Sequence, residues 1–237
     1  MAGALMTTAL TSCAMSQAGG GLLPPFDATH DAAIDIRADG CGPRIGVGSG
    51  SMIDDRLAVT AAHVVAGSEQ IDVHDSSGVA TTAEVVSFDP DLDLAVLRTA
   101  EAIGAPMRVR PEQAAAGEVG VVALPRRETT PVETEIVEVR VLRAVNIRTT
   151  DIYLDDPVER AGFEIVATID PGDSGSTVVL HGGAVGVIWA RSNERDERAW
   201  AVDLPLELAD PAFRAELVDP ATAAADVGDC IRGGQSG

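Results

Sequence analysis

The sequence contains no lysine. Its 17 basic residues are all arginine, set against 37 acidic ones, for a formal net charge of -20. Nucleic acid and anionic membrane surfaces are held chiefly by clustered cations on phosphate, so both are excluded as partners of the folded part. A surplus of this size maintains solubility, and neutral or cationic peptides approach it without repulsion. Aromatic residues are scarce too, at 3% of the chain. A core for 237 residues must therefore come from Val, Ile, Leu and Ala, and the abundance of Val directs it toward strands. Long apolar runs are missing, since nothing approaches the ~18 to 20 residues of a spanning helix. Histidine occurs four times and cysteine three. No two of them stand at ligand spacing, so neither a metal nor a cofactor is expected.

The first 18 residues are small, apolar and uncharged, the composition of a secretion signal without its usual basic start. Leu10-Thr11-Ser12-Cys13 has the form of a lipobox, in which Cys13 becomes the lipidated first residue of the mature protein. The alternative is an ordinary signal cleaved near Ala18. Either way Cys13 lies outside the fold, residues 1–31 read as leader and flexible linker, and the chain is expected to be exported, to periplasm, cell envelope or medium. It would touch a membrane only through that lipid. The remaining Cys41 and Cys230 are an even pair in such a chain, which predicts one disulfide tying the entry of the fold to its tail. Two buried free thiols are the alternative.

From residue 32 onward short β-branched runs alternate with turn signals, and helical periodicity is slight. One group of runs covers 33–37, 46–53, 57–60, 70–74, 82–88 and 95–98. A second covers 119–123, 134–147, 164–168, 177–180, 184–189 and 200–202. Within the second, Val137-Glu138-Val139-Arg140-Val141 alternates apolar and charged residues, as a strand with one wet face does. Residues 111–117 (PEQAAAG) separate the groups. The reading is all-β, with two β-barrels in series over 32–110 and 111–237. Residues 206–217 form a short C-terminal helix interrupted near Pro211.

Three segments carry chemistry. In Asp170-Pro171-Gly172-Asp173-Ser174-Gly175-Ser176, a serine sits between glycines in a tight turn between strands. A hydroxyl is a weak nucleophile that needs an adjacent base and donors for a developing oxyanion. The N–H groups of Gly172 and Ser174 are the candidate donors. By itself the motif is also compatible with a polar hairpin turn. The strand-to-helix elbow of α/β-hydrolases is excluded, because it needs glycine where Ser176 stands. His63, in Thr60-Ala61-Ala62-His63-Val64-Val65, ends an apolar strand beside two small residues that permit close approach, whereas His30, His74 and His181 have turn-like or charged neighbours. In Asp89-Pro90-Asp91-Leu92-Asp93-Leu94, Asp93 is the carboxylate next to the buried run and can be held against an imidazole. Asp89 and Asp91 are expected to cap the turn.

The order His, Asp, Ser is that of trypsin-like enzymes. Together with Gly48-Ser49-Gly50 and the late strand Val185-Gly186-Val187-Ile188-Trp189, the three segments resemble the chymotrypsin-fold serine peptidases, in particular the bacterial HtrA/Deg-like and glutamyl-endopeptidase-like branches, over residues 33–210. The resemblance implies two six-stranded antiparallel barrels of chymotrypsin type and a secreted serine endopeptidase acting on proteins or peptides. Its catalytic residues would be His63, Asp93 and Ser174. A catalytically silent peptide-binding or assembly module on the same fold is the competing reading. Ser176 replaces the second glycine of the commoner GDSGG, as in glutamyl endopeptidases. Arg44-Ile45-Gly46-Val47 lies too close to His63 for an activation cleavage of trypsin type. About 30 residues follow the last strand, too few for a PDZ domain. The resemblance also places the acyl-side specificity pocket at Thr168, Ile169, Ile188 and Trp189. No Asp at Thr168 awaits Lys or Arg, and Ile169 and Ile188 stand where a glutamyl-specific site needs a hydroxyl and a histidine. Cleavage after small or medium apolar residues is the expectation.

Overall fold

The computed structural model describes residues 26–42, 45–127 and 133–231. The first six strands are β1 (Ala33–Asp39), β2 (Gly46–Asp54), β3 (Leu57–Thr60), β4 (Gln70–Asp75), β5 (Ala80–Asp89) and β6 (Leu94–Thr99). The next six are β7 (Val119–Arg126), β8 (Glu133–Thr150), β9 (Pro157–Val166), β10 (Thr177–Leu180), β11 (Gly183–Arg191) and β12 (Arg198–Asp203). Each set closes into an antiparallel barrel, in the orders β1-β2-β3-β6-β5-β4 and β10-β11-β12-β9-β8-β7. Closure leaves no unpaired edge along either sheet. The twelve apolar runs of the sequence are these twelve strands.

With so few aromatics, the cores are aliphatic. Ile34, Ile36, Met52, Leu57, Val59 and Leu97 fill the first barrel, and Leu124, Ile165, Leu180 and Ile188 pack around Phe163 in the second. Val121, Val179, Val187 and Val202 belong to the second set of strands yet pack with the first core, joining the barrels face to face.

The sequence reading and the structure differ at three places. Residues 26–31 were expected in a flexible linker, but α1 (Phe26–Ala32) is a helix with Thr29 and Ala32 buried, and it runs directly into β1. Seven residues are too few to display a helical period. Strand β9 begins at Pro157, well before the expected 164, because the hairpin with β8 continues out to the Thr150 and Pro157 pair. Its charged outer residues, Glu159 and Arg160 among them, masked that extension. Pro211 does not interrupt a helix. It opens α3 (Pro211–Val218), with Asp210 as N-cap accepting from Ala212 N at 2.9 Å, after a separate 3-10 turn at Leu206–Ala209.

The end of the chain returns to the first barrel. Leu208 and Leu217 pack in its core, Arg214 Nε reaches Asp54 at 2.9 Å, and Cys230 is disulfide-bonded to Cys41 with the Cα atoms 5.5 Å apart. Among the described residues no helix is long and apolar enough to cross a membrane. Cys13 and the rest of residues 1–25 lie outside the described residues, as does Arg44.

Candidate active site

Strand β3 leads into α2 (Ala62–Val65), a single helical turn. Ala61 and Ala62 are fully buried. The turn lies so close on β2 that a Cβ on Gly48 would meet Val64 Cγ1 at 2.4 Å, so only small residues fit here. His63 emerges from this turn with its side chain 22% exposed. Asp93 ends the β5–β6 turn at φ 61°, a left-handed conformation that Asp tolerates better than most residues. Asp89 caps that turn, its Oδ1 accepting from Asp91 N at 3.0 Å and Leu92 N at 2.8 Å. Asp91 contributes its carbonyl instead, as described below.

The Asp93 carboxylate receives both nitrogens that fix His63. Oδ1 accepts the His63 backbone N–H at 2.9 Å, and Oδ2 lies 2.8 Å from Nδ1. An ionised carboxylate only accepts, so Nδ1 carries the proton and Nε2 keeps its lone pair, the tautomer of a general base. Burial acts to lower the His63 pKa, but the Asp93 charge and hydrogen bond outweigh it and hold the pKa above the ordinary value. Burial likewise acts to raise Asp93, and His63 together with Arg160 brings it below the usual carboxylate range.

The Ser174 turn is trussed from three sides. Gly175 N donates to Ile188 O at 2.8 Å, and Ile188 N to Ser176 O at 2.9 Å, which tie it to β11. Ser174 O accepts from Ser49 N at 2.8 Å, which ties it to β2 of the other barrel. Asp173 is 2% exposed; it accepts from Asp170 N at 2.9 Å and lies 3.5 Å from Arg126 Nη1, and burial pushes its pKa up. Gly175 is required, because at φ 93° a Cβ would lie 1.9 Å from Ser49 O. Among the described residues neither the Gly172 nor the Ser174 N–H has a protein acceptor. Both N–H groups are thus available to a developing oxyanion. No hydrogen bond joins the Ser174 hydroxyl to the His63 ring among the described residues, a contact that often tightens only when substrate is bound.

Of the expected pocket residues, Thr168 is exposed and Trp189 half-buried. Ile169 and Ile188 are buried in the second core, behind that surface. Arg191 Nη1 donates to Ile169 O at 3.4 Å.

Sequence reasoning missed Arg160 and Arg127. Arg160, on β9, is buried and donates to Asp91 O at 2.7 Å, Thr150 O at 3.2 Å and Pro90 O at 3.4 Å. Its Nη1 lies 3.8 Å from Asp93 Oδ2, and its Cζ lies 4.5 Å above the centre of the Trp189 ring. One cation thus touches the carboxylate of one barrel and the Trp189 ring of the other. The only local signal is an arginine inside an apolar-leaning strand, which does not reveal a partner in the other barrel.

The model of the trypsin-like peptidase domain matches residues 48–187, from the Gly48-Ser49-Gly50 segment to the late strand. Serine protease Rv3671c of Mycobacterium tuberculosis is 30% identical over 188 residues, 76% of this chain and 45% of that protein, so the chain spans about half the length of the curated relative it matches. The crystal structure of the active form of the Rv3671c protease superposes with a TM-score of 0.72 at 25% identity, covering 94% of this chain and 100% of that one. The HtrA-type protease AlgW with a tripeptide shares the fold, at a TM-score of 0.63 and 22% identity over 82% of this chain and 62% of that one. With more than half of its length inside the matching domain and its strands closed into two six-stranded barrels, the chain belongs to the trypsin-like peptidase family.

Proposed function

We propose that this protein is a serine endopeptidase in which Ser174 attacks a peptide carbonyl. His63 Nε2 takes the hydroxyl proton and delivers it to the leaving amine. The acyl-enzyme is then hydrolysed by a water that His63 deprotonates in turn. Asp93 holds the ring and stabilises its cation, and the Gly172 and Ser174 N–H groups receive the oxyanion. The observation that carries this reading is the double grip of Asp93 on His63, through Nδ1 at 2.8 Å and the backbone N–H at 2.9 Å.

The same reading makes residues 32–110 and 111–237 the two barrel segments, takes proteins or peptides as substrates, and puts the working enzyme outside the cytoplasm. The Cys41–Cys230 bridge supports export, since such bonds persist in oxidising compartments. Any membrane attachment would run through a lipid on Cys13. Cleavage after Val, Ala or Leu completes the proposal, with the half-buried Trp189 ring as the apolar surface offered to substrate.

A fluorophosphonate probe should label the wild-type protein and leave Ser174→Ala unlabelled, with kcat falling on the order of 10⁶-fold in that variant. Absence of labelling in folded wild type would favour the silent module. A peptide library then reads the pocket, where dominant cleavage after Arg, Lys or Glu would overturn the apolar assignment.

A further inference from the structure

We propose that Arg127 is a positioning residue for the oxyanion-binding turn, acting through the Gly172 carbonyl and anchored by Asp35; this rests on the peptidase reading above. Arg127 follows the last residue of β7, where the second barrel faces the first, and its side chain is 20% exposed. Its guanidinium spans the two barrels. Nε donates to Asp35 Oδ1 on β1 at 2.5 Å, Nη1 to Gly172 O at 3.0 Å, and Nη2 to Ser49 Oγ at 3.1 Å and to Gly48 O. The planar fork of arginine is suited to such divergent acceptors, and a lysine ammonium is not.

The grip falls on the 172–173 peptide, which adjoins the 171–172 peptide that carries the Gly172 N–H. Gly172 O accepts from the Ser49 hydroxyl at 2.8 Å as well as from Arg127, so both of its lone pairs are used and the 172–173 peptide cannot rotate freely. Ser49 N, in turn, holds Ser174 O on the other side of the turn. Gly172 lies at φ 95°, and a Cβ there would come within 2.7 Å of Arg127 Nη1. Glycine at this position therefore meets two demands at once, the left-handed backbone and the approach of the guanidinium. Asp35 is 4% exposed and keeps a second partner, Arg37 Nε at 3.3 Å, so removal of Arg127 does not strand a bare buried carboxylate.

Without Arg127 the turn keeps its glycines and its nucleophile but loses the charge-assisted tether on the Gly172 carbonyl, which anchors that residue and so steadies the preceding peptide bearing the Gly172 N–H. That N–H is used most in the transition state. Loss should therefore appear in kcat and spare KM, as expected for an interaction realised only there.

The test uses the full chain carrying Arg127→Met, Arg127→Lys and Asp35→Asn. For each, kcat and KM on a peptide substrate, the pH profile, the melting temperature and the affinity for a peptide boronic acid that mimics the tetrahedral adduct are measured. Arg127→Met should lower kcat by roughly 10²- to 10³-fold, the scale of losing one oxyanion donor. KM should stay within about threefold, and boronate affinity should fall in parallel with kcat. Arg127→Lys should recover part of the loss, and Asp35→Asn should show a smaller loss of the same kind. The acid limb of the profile, which reports His63, should not move. Should Arg127→Met fail to fold, Arg127→Lys and Asp35→Asn decide the question with the same measurements. An unchanged kcat in a folded variant, a rise in KM alone, or a shifted acid limb would overturn the assignment. Fluorophosphonate labelling separates the two levels. If wild type is not labelled, the peptidase reading fails and this one with it; if wild type and Arg127→Met are labelled at equal rates, only the role of Arg127 falls.

Discussion

Replacing Arg160 by Met tests how far the second barrel controls the His63–Asp93 pair of the first. Arg160 Nη1 and Asp93 Oδ2 are 3.8 Å apart, with side-chain exposures of 3% and 4%. At an effective dielectric of 20 such a pair attracts by about 4 kcal/mol, and the burial of both ions offsets much of that. Removing one partner forfeits the attraction but leaves Asp93 buried, and strips the carbonyls of Pro90, Asp91 and Thr150 of their donor. A loss of about 3 to 5 kcal/mol follows. For a chain of this size that corresponds to a melting temperature lower by roughly 6 to 20 °C.

The kinetic consequence is more specific. The Arg160 charge holds down the pKa of both His63 and Asp93, so its removal lets both rise. In the proposed mechanism His63 must be neutral to accept the Ser174 proton, so the acid limb of kcat/KM against pH should move toward higher pH. Arg160→Lys keeps the charge and should leave the limb near its wild-type position, although one nitrogen cannot occupy the separate Nε and Nη2 positions from which Arg160 reaches the three carbonyls, and melting should still fall. A limb that stays in place or moves to lower pH in folded Arg160→Met would refute this reasoning, as would a lysine variant that shifts it as far as methionine does.

Reduction of the Cys41–Cys230 bridge, which spans 189 residues of sequence, should lower the melting temperature, with about 5 kcal/mol as the upper end in the chain-entropy view. A non-reducing peptide map should show the two cysteines as one linked pair, and alkylation of both without prior reduction would contradict it. Gly175→Ala should lower kcat by on the order of 10²-fold, the penalty for displacing a reacting group by about 1 Å. Its Cβ would lie 1.9 Å from Ser49 O at φ 93°. Wild-type kcat in a folded Gly175→Ala protein would show that the turn is not held against β2.

The barrels were legible because their strands speak through short β-branched, apolar runs bounded by turn residues, and part of β8 through period-two alternation, signals that each strand carries within itself. The His63–Asp93 contact was legible, and Ser174 stood out as a candidate, because each residue sits in a segment whose neighbours betray the local geometry: small residues before the histidine, an acidic turn before the aspartate, glycines around the serine. Arg127 and Arg160 left no such trace. Their meaning lies in residues distant along the chain: Gly172 and Trp189 come near through closure of the second barrel, Asp35 and Asp93 through the docking of one barrel on the other. Helix α1 was lost for a different reason, since about two turns with only Thr29 and Ala32 buried carry no readable period.

Arg98, on β6, is only 4% exposed. It donates to Glu84 beside it at 2.6 Å, but also to Leu217 O at 3.1 Å and Thr222 O at 2.9 Å, well over a hundred residues later. A ribosome adding roughly 5 to 20 residues per second therefore delivers these acceptors many seconds after the strand itself has emerged. Until then the first barrel holds a guanidinium whose carbonyl partners do not yet exist. Although its six strands are the first to be made, this barrel can reach its final stability only after the second has been synthesised and the chain has come back to close it.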